Sequence, residues 1–282
     1  MIKRILIVVL LVGMVGCSQS KTIQNIDNTK KKSEERKVTK IKVEKKEEDS
    51  LLTDATLQGY KEEYFGAESD VSLGVKLLEK DKEVVVDNRS MQAASLIKLY
   101  IAGCVYESMS EIPDEVEQKI RIMICDSDNM SANDLISILG NGEPSKGMEL
   151  VNAYCDKNGY KETHLGRLLL APNDYDDNFT SVQDCMLFLS RVYNEQMPGA
   201  KNILEYMTQQ SRRNKIPSGI PEEIVVANKT GELSNVENDV AIIYGEKEDY
   251  ILCIETQNNL DSTMTNQSIR KFSKRIYEEL NR

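Results

Sequence analysis

Strand-forming runs sit at both ends of the foldable part of this chain, and helical patterns fill the middle. Val71-Ser72-Leu73-Gly74-Val75-Lys76-Leu77 and Glu83-Val84-Val85-Val86 read as two arms of a hairpin turning near Lys80-Asp81-Lys82. Three more strand-like runs come much later, at Ile224–Lys229, Val240–Gly245 and Tyr250–Glu255. Helical patterns cover Ala94–Glu107, Pro113–Cys125, Ser131–Leu139, Ser145–Lys157 and Ser181–Gln196, and a last helix is expected over Asn266–Leu280. Ser181-Val182-Gln183-Asp184 has the form of a capping box. Residues 166–180 lack periodicity and are expected to form a loop. A sheet built from both chain ends, with helices between, is an α+β architecture. We expect an antiparallel sheet flanked by helices, with an inserted helical lobe. A cleft between lobe and sheet is the natural place for chemistry.

The first residues stand apart from this pattern. Lys3 and Arg4 precede an apolar run, Ile5 to Val15, too short for a membrane span and read as a signal peptide. It ends in Met14-Val15-Gly16-Cys17, which resembles the bacterial lipobox. That resemblance implies cleavage after residue 16 and lipid on Cys17. An ordinary secretory signal with an incidental cysteine is the alternative. Either reading places the protein outside the cytoplasm, and the first anchors it to the bacterial cell membrane. Residues 17–50 read as a charged tether with too little apolar surface to offset its ordering entropy. Residues 1–50 hold 12 Lys/Arg against 7 Asp/Glu, and the remainder 24 against 39. Residues 51–282 therefore form one acidic domain of single-core size.

Composition also excludes function classes. An acidic domain with no basic stripe argues against nucleic acid. His164 is the only histidine, and no cysteine pair has ligand spacing, so neither a metal nor another cofactor is expected. After Cys17, five cysteines remain, an odd number that guarantees a free thiol; Cys185 and Cys253 lie in apolar runs as small core residues. The domain is expected to be a monomer acting on a small substrate.

Three short motifs carry the chemistry. Ser95-Leu96-Ile97-Lys98 places a hydroxyl and an amine one turn apart on a helix face. A serine is a poor nucleophile until a base takes its proton, and a desolvated lysine can be that base. A helix cap with a surface lysine is the alternative, although Lys98 is the one charged residue from Ser90 to Tyr106. Ser127-Asp128-Asn129 forms a polar turn between two apolar helices. There Ser127 can shuttle a proton and Asn129 can both donate and accept toward an amide; a plain capping loop is the alternative. Lys229-Thr230-Gly231 ends a strand, offering a point charge for a carboxylate and a glycine where a backbone can approach. Ser18-Gln19-Ser20-Lys21 repeats the first pattern where no core surrounds it.

Together the motifs resemble those of penicillin-recognising serine enzymes, and the chain looks most like class A β-lactamase. The likeness extends to Asn129-Met130-Ser131-Ala132-Asn133-Asp134-Leu135-Ile136, Asn178-Phe179-Thr180-Ser181 and Asn238-Asp239-Val240-Ala241. The resemblance implies Ser95 as acyl-accepting nucleophile, Lys98 as its base and Ser127 as proton relay. It implies Asn129, Lys229, Thr230 and Gly231 as substrate-binding residues, with the backbone N–H groups of Ser95 and Glu232 as oxyanion hole. The substrate implied is a β-lactam or a peptidoglycan stem peptide.

One departure concerns the loop. Class A enzymes carry there a glutamate that activates water for deacylation. Thr163-His164-Leu165-Gly166-Arg167 matches the loop's entry, and matching onward without gaps puts Leu169 at the glutamate position. Aligning Pro172-Asn173-Asp174 instead implies a deletion, and both alignments lose the carboxylate. Asp174, Asp176 and Asp177 are possible substitutes. Three readings follow: a slow β-lactamase, a D-Ala-D-Ala peptidase or penicillin-binding protein, and a non-catalytic lipoprotein binding wall fragments or antibiotic.

Overall fold

A computed structural model describes residues 52–67 and 69–281. The signal peptide, Cys17 and the tether lie outside the described residues. Helix α1 (Asp54–Phe65) leads to strands β1 (Val71–Leu77) and β2 (Lys82–Val86), then a short β3 (Met91–Gln92). A 3₁₀ turn (Ala94–Leu96) runs into α2 (Ile97–Ser108), followed by α3 (Asp114–Cys125), α4 (Asn129–Leu139) and α5 (Pro144–Asn158). Strands β4 (His164–Leu165) and β5 (Asn178–Thr180) bracket the loop. Helices α6 (Val182–Tyr193) and α7 (Ala200–Thr208) precede β6 (Val226–Leu233), β7 (Val236–Tyr244), β8 (Asp249–Thr256) and α8 (Ser262–Leu280).

The main sheet has the order β2-β1-β8-β7-β6 and is antiparallel throughout. The first and last strands in sequence therefore meet at its centre, Val71 opposite Thr256 and Leu77 opposite Tyr250. This is the α+β architecture expected, with β6 as a free edge. β3, β5 and β4 form a second, small sheet, so the end of the expected loop, residues 178–180, is a strand.

Alternation along the strands divides the core in two. Leu73, Val75, Tyr250, Leu252 and Ile254 pack against α1 and α8 through Leu57, Ile269, Phe272 and Ile276. Ile251, Cys253, Val240 and Ile242 face the helical lobe. At the lobe's centre, α2 is buried on every side from Ile97 to Tyr106, as an almost uniformly apolar helix must be. Tyr100 stacks edge-on against Tyr160 and Phe188 with ring centroids 5.1 and 5.2 Å apart. All five cysteines in the described residues are buried free thiols.

Helices α1 and α7 have no counterpart in the sequence reading. In the expected capping box, Ser181 does accept from the Asp184 N–H (3.2 Å). The Asp184 carboxylate, however, accepts from the Glu162 N–H and the Thr163 hydroxyl, both at 2.8 Å, tying α6 to the segment before β4.

Candidate active site

The three motifs converge. Ser95 lies in the 3₁₀ turn one step before α2, not in the helix itself. Ala94 in that turn has a φ of +48°, a backbone twist held by small neighbours and by fixed hydrogen bonds on its N-terminal side. The Ala93 N–H donates to the Asn178 carbonyl (2.8 Å), and buried Asn238 donates to the Gln92 carbonyl (2.8 Å). β6 runs directly past this turn. A Cβ added at Gly231 would lie 2.6 Å from the Ala93 carbonyl oxygen and 3.3 Å from the Ala94 Cβ, so only glycine permits the approach. We therefore expect Gly231→Ala to push strand and turn apart. It should cost about 1–3 kcal/mol in a thermal or denaturant melt and slow any reaction at Ser95. A variant of wild-type stability and rate would refute this close packing.

Lys229-Thr230-Gly231 does not end its strand, as the sequence reading had it. β6 continues to Leu233, because Glu232 and Leu233 pair with Glu237 and Val236 of β7. The triplet thus lies mid-strand on the edge of the sheet, where one row of backbone groups has no strand partner among the described residues.

Ser127 occupies the turn between α3 and α4 with a φ of +59°. Asp128 caps α4, its carboxylate accepting from the Ser131 N–H (2.6 Å), so Asn129 is the first helical residue and the helix starts two residues earlier than expected. The twisted turn aims the Ser127 carbonyl at the Lys98 amine (2.5 Å).

Lys98 is completely buried and ties the motifs together. Its Nζ lies 2.9 Å from Ser95 Oγ, 2.7 Å from Asn129 Oδ1 and 3.3 Å from Ser127 Oγ. Burial lowers its pKa to about 7, with Asp128 opposing the shift and Arg212 adding to it. Lys229, also fully buried, donates to Ser127 Oγ (2.8 Å) and to the Thr230 carbonyl (2.9 Å). Burial, then the charges of Lys98 and Arg212, push its pKa well below the ordinary lysine value. The Ser127 hydroxyl thus stands between two amines whose charged forms are disfavoured.

A neutral Lys98 amine has two N–H donors and one lone pair. Its three closest neighbours suit that count: the Ser127 carbonyl and Asn129 Oδ1 accept, and the Ser95 hydroxyl can donate to the lone pair. After a proton moves from Ser95 to Lys98, the ammonium donates to the same three groups. Either protonation state is satisfied without rearrangement, which is what a base beside a nucleophile requires.

Beside the site lie groups that no motif reveals. Arg212 pairs with Glu232, and buried Lys215 contacts both Glu232 (3.3 Å) and Glu237 (2.6 Å). Asp239 accepts from Asn228 (3.0 Å) and the Ile216 N–H (2.9 Å), and burial raises its carboxyl to about 7. Arg212 and Lys215 reach the site only through the fold.

The loop residue hydrogen-bonded to α4 is Leu169. Its N–H donates to Asn133 Oδ1 (2.9 Å) and its carbonyl accepts from Asn133 Nδ2 (3.0 Å), one turn beyond Asn129. Its side chain is 7% exposed and joins the lobe's core. The loop's acidic residues are engaged elsewhere or exposed. Asp177 accepts from Arg167 (2.7 Å) and Gln92 (2.8 Å), and Asp176 pairs with His164 (2.7 Å). Asp174 is exposed. Among the described residues, no group of three or more His, Cys, Asp or Glu side chains is arranged to hold a metal.

The beta-lactamase enzyme family model matches residues 110–280, more than half of the chain, and the chain belongs to that family. The match begins after Ser95 and Lys98. No curated protein matches the sequence. Among solved structures, the beta-lactamase from Sphaerobacter thermophilus DSM 20745 is similar at TM-score 0.70 and 18% identity, over 79% of this chain and 96% of its own. PBP-A is similar at TM-score 0.70 and 18% identity, over 80% and 96%. A point mutant of PBP-A, as an acyl-enzyme complex with penicillin G, is similar at TM-score 0.68. The TLA-1 extended spectrum beta-lactamase is similar at TM-score 0.72 and 16% identity, over 81% and 99%. At these identities the likeness is one of fold: this chain is a β-lactamase-like serine hydrolase by family and architecture.

Proposed function

We propose that the protein opens β-lactam amides by forming an acyl-enzyme on Ser95 and releases that acyl group slowly. The contact of 2.9 Å between Lys98 Nζ and Ser95 Oγ, inside a pocket that keeps the amine near neutrality, carries this reading. Lys98 takes the hydroxyl proton as Ser95 attacks the amide carbonyl. Ser127, bridged to both lysines, returns a proton to the leaving nitrogen. Asn129 binds the acyl side-chain amide, Thr230 and Lys229 receive the substrate carboxylate, and the N–H groups of Ser95 and Glu232 face the developing oxyanion. The penicillin G acyl-enzyme of a fold neighbour supports the substrate class.

Slow release follows from the loop. Leu169, clamped to α4, offers no carboxylate to activate water. The same observation favours a second reading, a D-Ala-D-Ala peptidase whose physiological acyl group is a wall peptide. Intact-mass spectrometry over time after adding penicillin G tests both. We expect a stoichiometric adduct, mapped to Ser95 by peptide digestion, that persists through many times the acylation half-time. Faster release of a D-Ala-D-Ala peptide acyl group than of the penicillin one favours the peptidase. No adduct with either compound sinks the acyl-enzyme reading and leaves a non-catalytic binding protein. Residues 1–16 and Cys17 further propose a lipid-anchored, extracytoplasmic setting.

A further inference from the structure

The acyl-transfer steps give no task to Arg212, the exposed cation beside the site. Arg212 is held between the end of α3 and β6: buried Gln210 donates to the Ile124 carbonyl (2.7 Å), the Ser211 N–H to the Cys125 carbonyl (2.8 Å), and Asn228 to the Arg212 carbonyl (3.2 Å). Its partner Glu232 follows Gly231, and Asn228, which bonds its carbonyl, precedes Lys229, so Arg212 lies beside the β6 triplet, where its charge also disfavours the charged forms of Lys98 and Lys229. Its side chain is 47% exposed, whereas Lys229 and Lys215 are fully buried and bonded within the protein. A carboxylate entering from solvent therefore meets Arg212 before either lysine.

Arg212 already holds a carboxylate. Glu232, the residue after Gly231, pairs with it and with Lys215. Burial alone would raise the Glu232 carboxyl, but Lys215 and Arg212 outweigh it and hold the group below its usual range. Its side chain is 30% exposed, within reach of solvent and of whatever lies along the strand edge. Losing Glu232 would leave Lys215 its partner in Glu237 but would release Arg212.

We infer that Glu232 is a specificity-determining residue: its carboxylate occupies Arg212 in the resting site and competes with the free carboxylate of an incoming substrate. The site consequently favours a free acid over an amide-capped ligand by less than a crevice lined by cations alone would. This inference rests on the proposed function for the placement of the ligand, yet it concerns binding and needs no acyl transfer.

The test is an NMR titration of the full chain with N-acetyl-D-alanine and with N-acetyl-D-alaninamide. The wild type is expected to prefer the acid by only a small factor. Glu232→Gln should tighten the acid about tenfold, the scale of one charge-assisted bond discounted for exposure, and leave the amide unchanged. Glu232→Asp, which keeps the charge, should keep the wild-type ratio, and adding Arg212→Gln to Glu232→Gln should erase the gain. An equal effect on acid and amide, a gain that survives loss of Arg212, or no binding of the acid by Glu232→Gln overturns the inference. Failure of penicillin to label Ser95 would overturn the proposed reaction alone.

Discussion

Replacing Lys98 by Met is expected to slow acylation of Ser95 by about 10²–10⁴-fold, the span typical of one positioned general base. The side chain it replaces is buried, and its nearest polar atoms are Ser95 Oγ, the Ser127 carbonyl and Asn129 Oδ1. Met fits such a space with a flexible apolar chain, so the fold should survive, although two acceptors, one of them buried, lose a donor. The pH profile supplies the second readout. The base acts when neutral and its pKa is lowered to about 7, so wild-type acylation should rise with pH and level off above that value. Two units below, only roughly one amine in a hundred is neutral. The Met variant should lose this limb. Stability carries the same signature with a definite sign. Between pH 7 and the ordinary lysine value the unfolded chain binds the extra proton, so this residue makes wild-type stability rise with pH across that window. The variant lacks that contribution. Acylation at the parent rate, or an unchanged pH limb, would remove Lys98 from the reaction.

The sequence made some parts of this structure legible and hid others for identifiable reasons. Ser95, Lys98, Ser127, Asn129 and Lys229 were visible because chemistry demands particular side chains at short spacings, and the fold brings them within hydrogen-bond reach of one another. β1 was read to its end residues because Val71, Leu73, Val75 and Leu77 alternate toward one core. The true length of β6 was hidden because Gly231-Glu232 reads as a turn until Val236 and Glu237 pair with it across the sheet. α1 buries only Leu57 and Lys61, so its sequence carries almost no stripe. α7 is short and preceded by Pro198-Gly199, a combination that reads as loop. Arg212 and Lys215 were invisible as site residues, since nothing but the sheet's edge and the end of α3 brings them to the motifs. Glu232 was named for its backbone N–H alone, because its side-chain partners appear only in three dimensions. The loop acids were undecidable by spacing. Arg167 settles Asp177, and His164 engages Asp176.

Changing Leu169 to Glu is expected to shorten the lifetime of the penicillin adduct by about 10²–10⁴-fold, turning a protein that is labelled into one that turns over. The backbone at this position is already fixed, because both bonds to Asn133 use the main chain and survive the substitution. Asn133 lies one turn after Asn129, which itself contacts Lys98, so the backbone of residue 169 is bonded to the helix that forms one wall of the site. Burial works for the design in one respect and against it in another. The leucine is 7% exposed, and a carboxyl in that setting has its pKa raised, favouring proton uptake from water. The same desolvation, with the loss of apolar contacts in the lobe's core, should lower the melting temperature. Leu169→Gln separates the two effects, since it shares the size and polarity but cannot act as a base. Sustained nitrocefin turnover by the Glu variant, with the Gln variant no faster than wild type, is the expected pair of results. Equal adduct lifetimes in two folded variants would mean that the missing carboxylate is not what holds the acyl group in place.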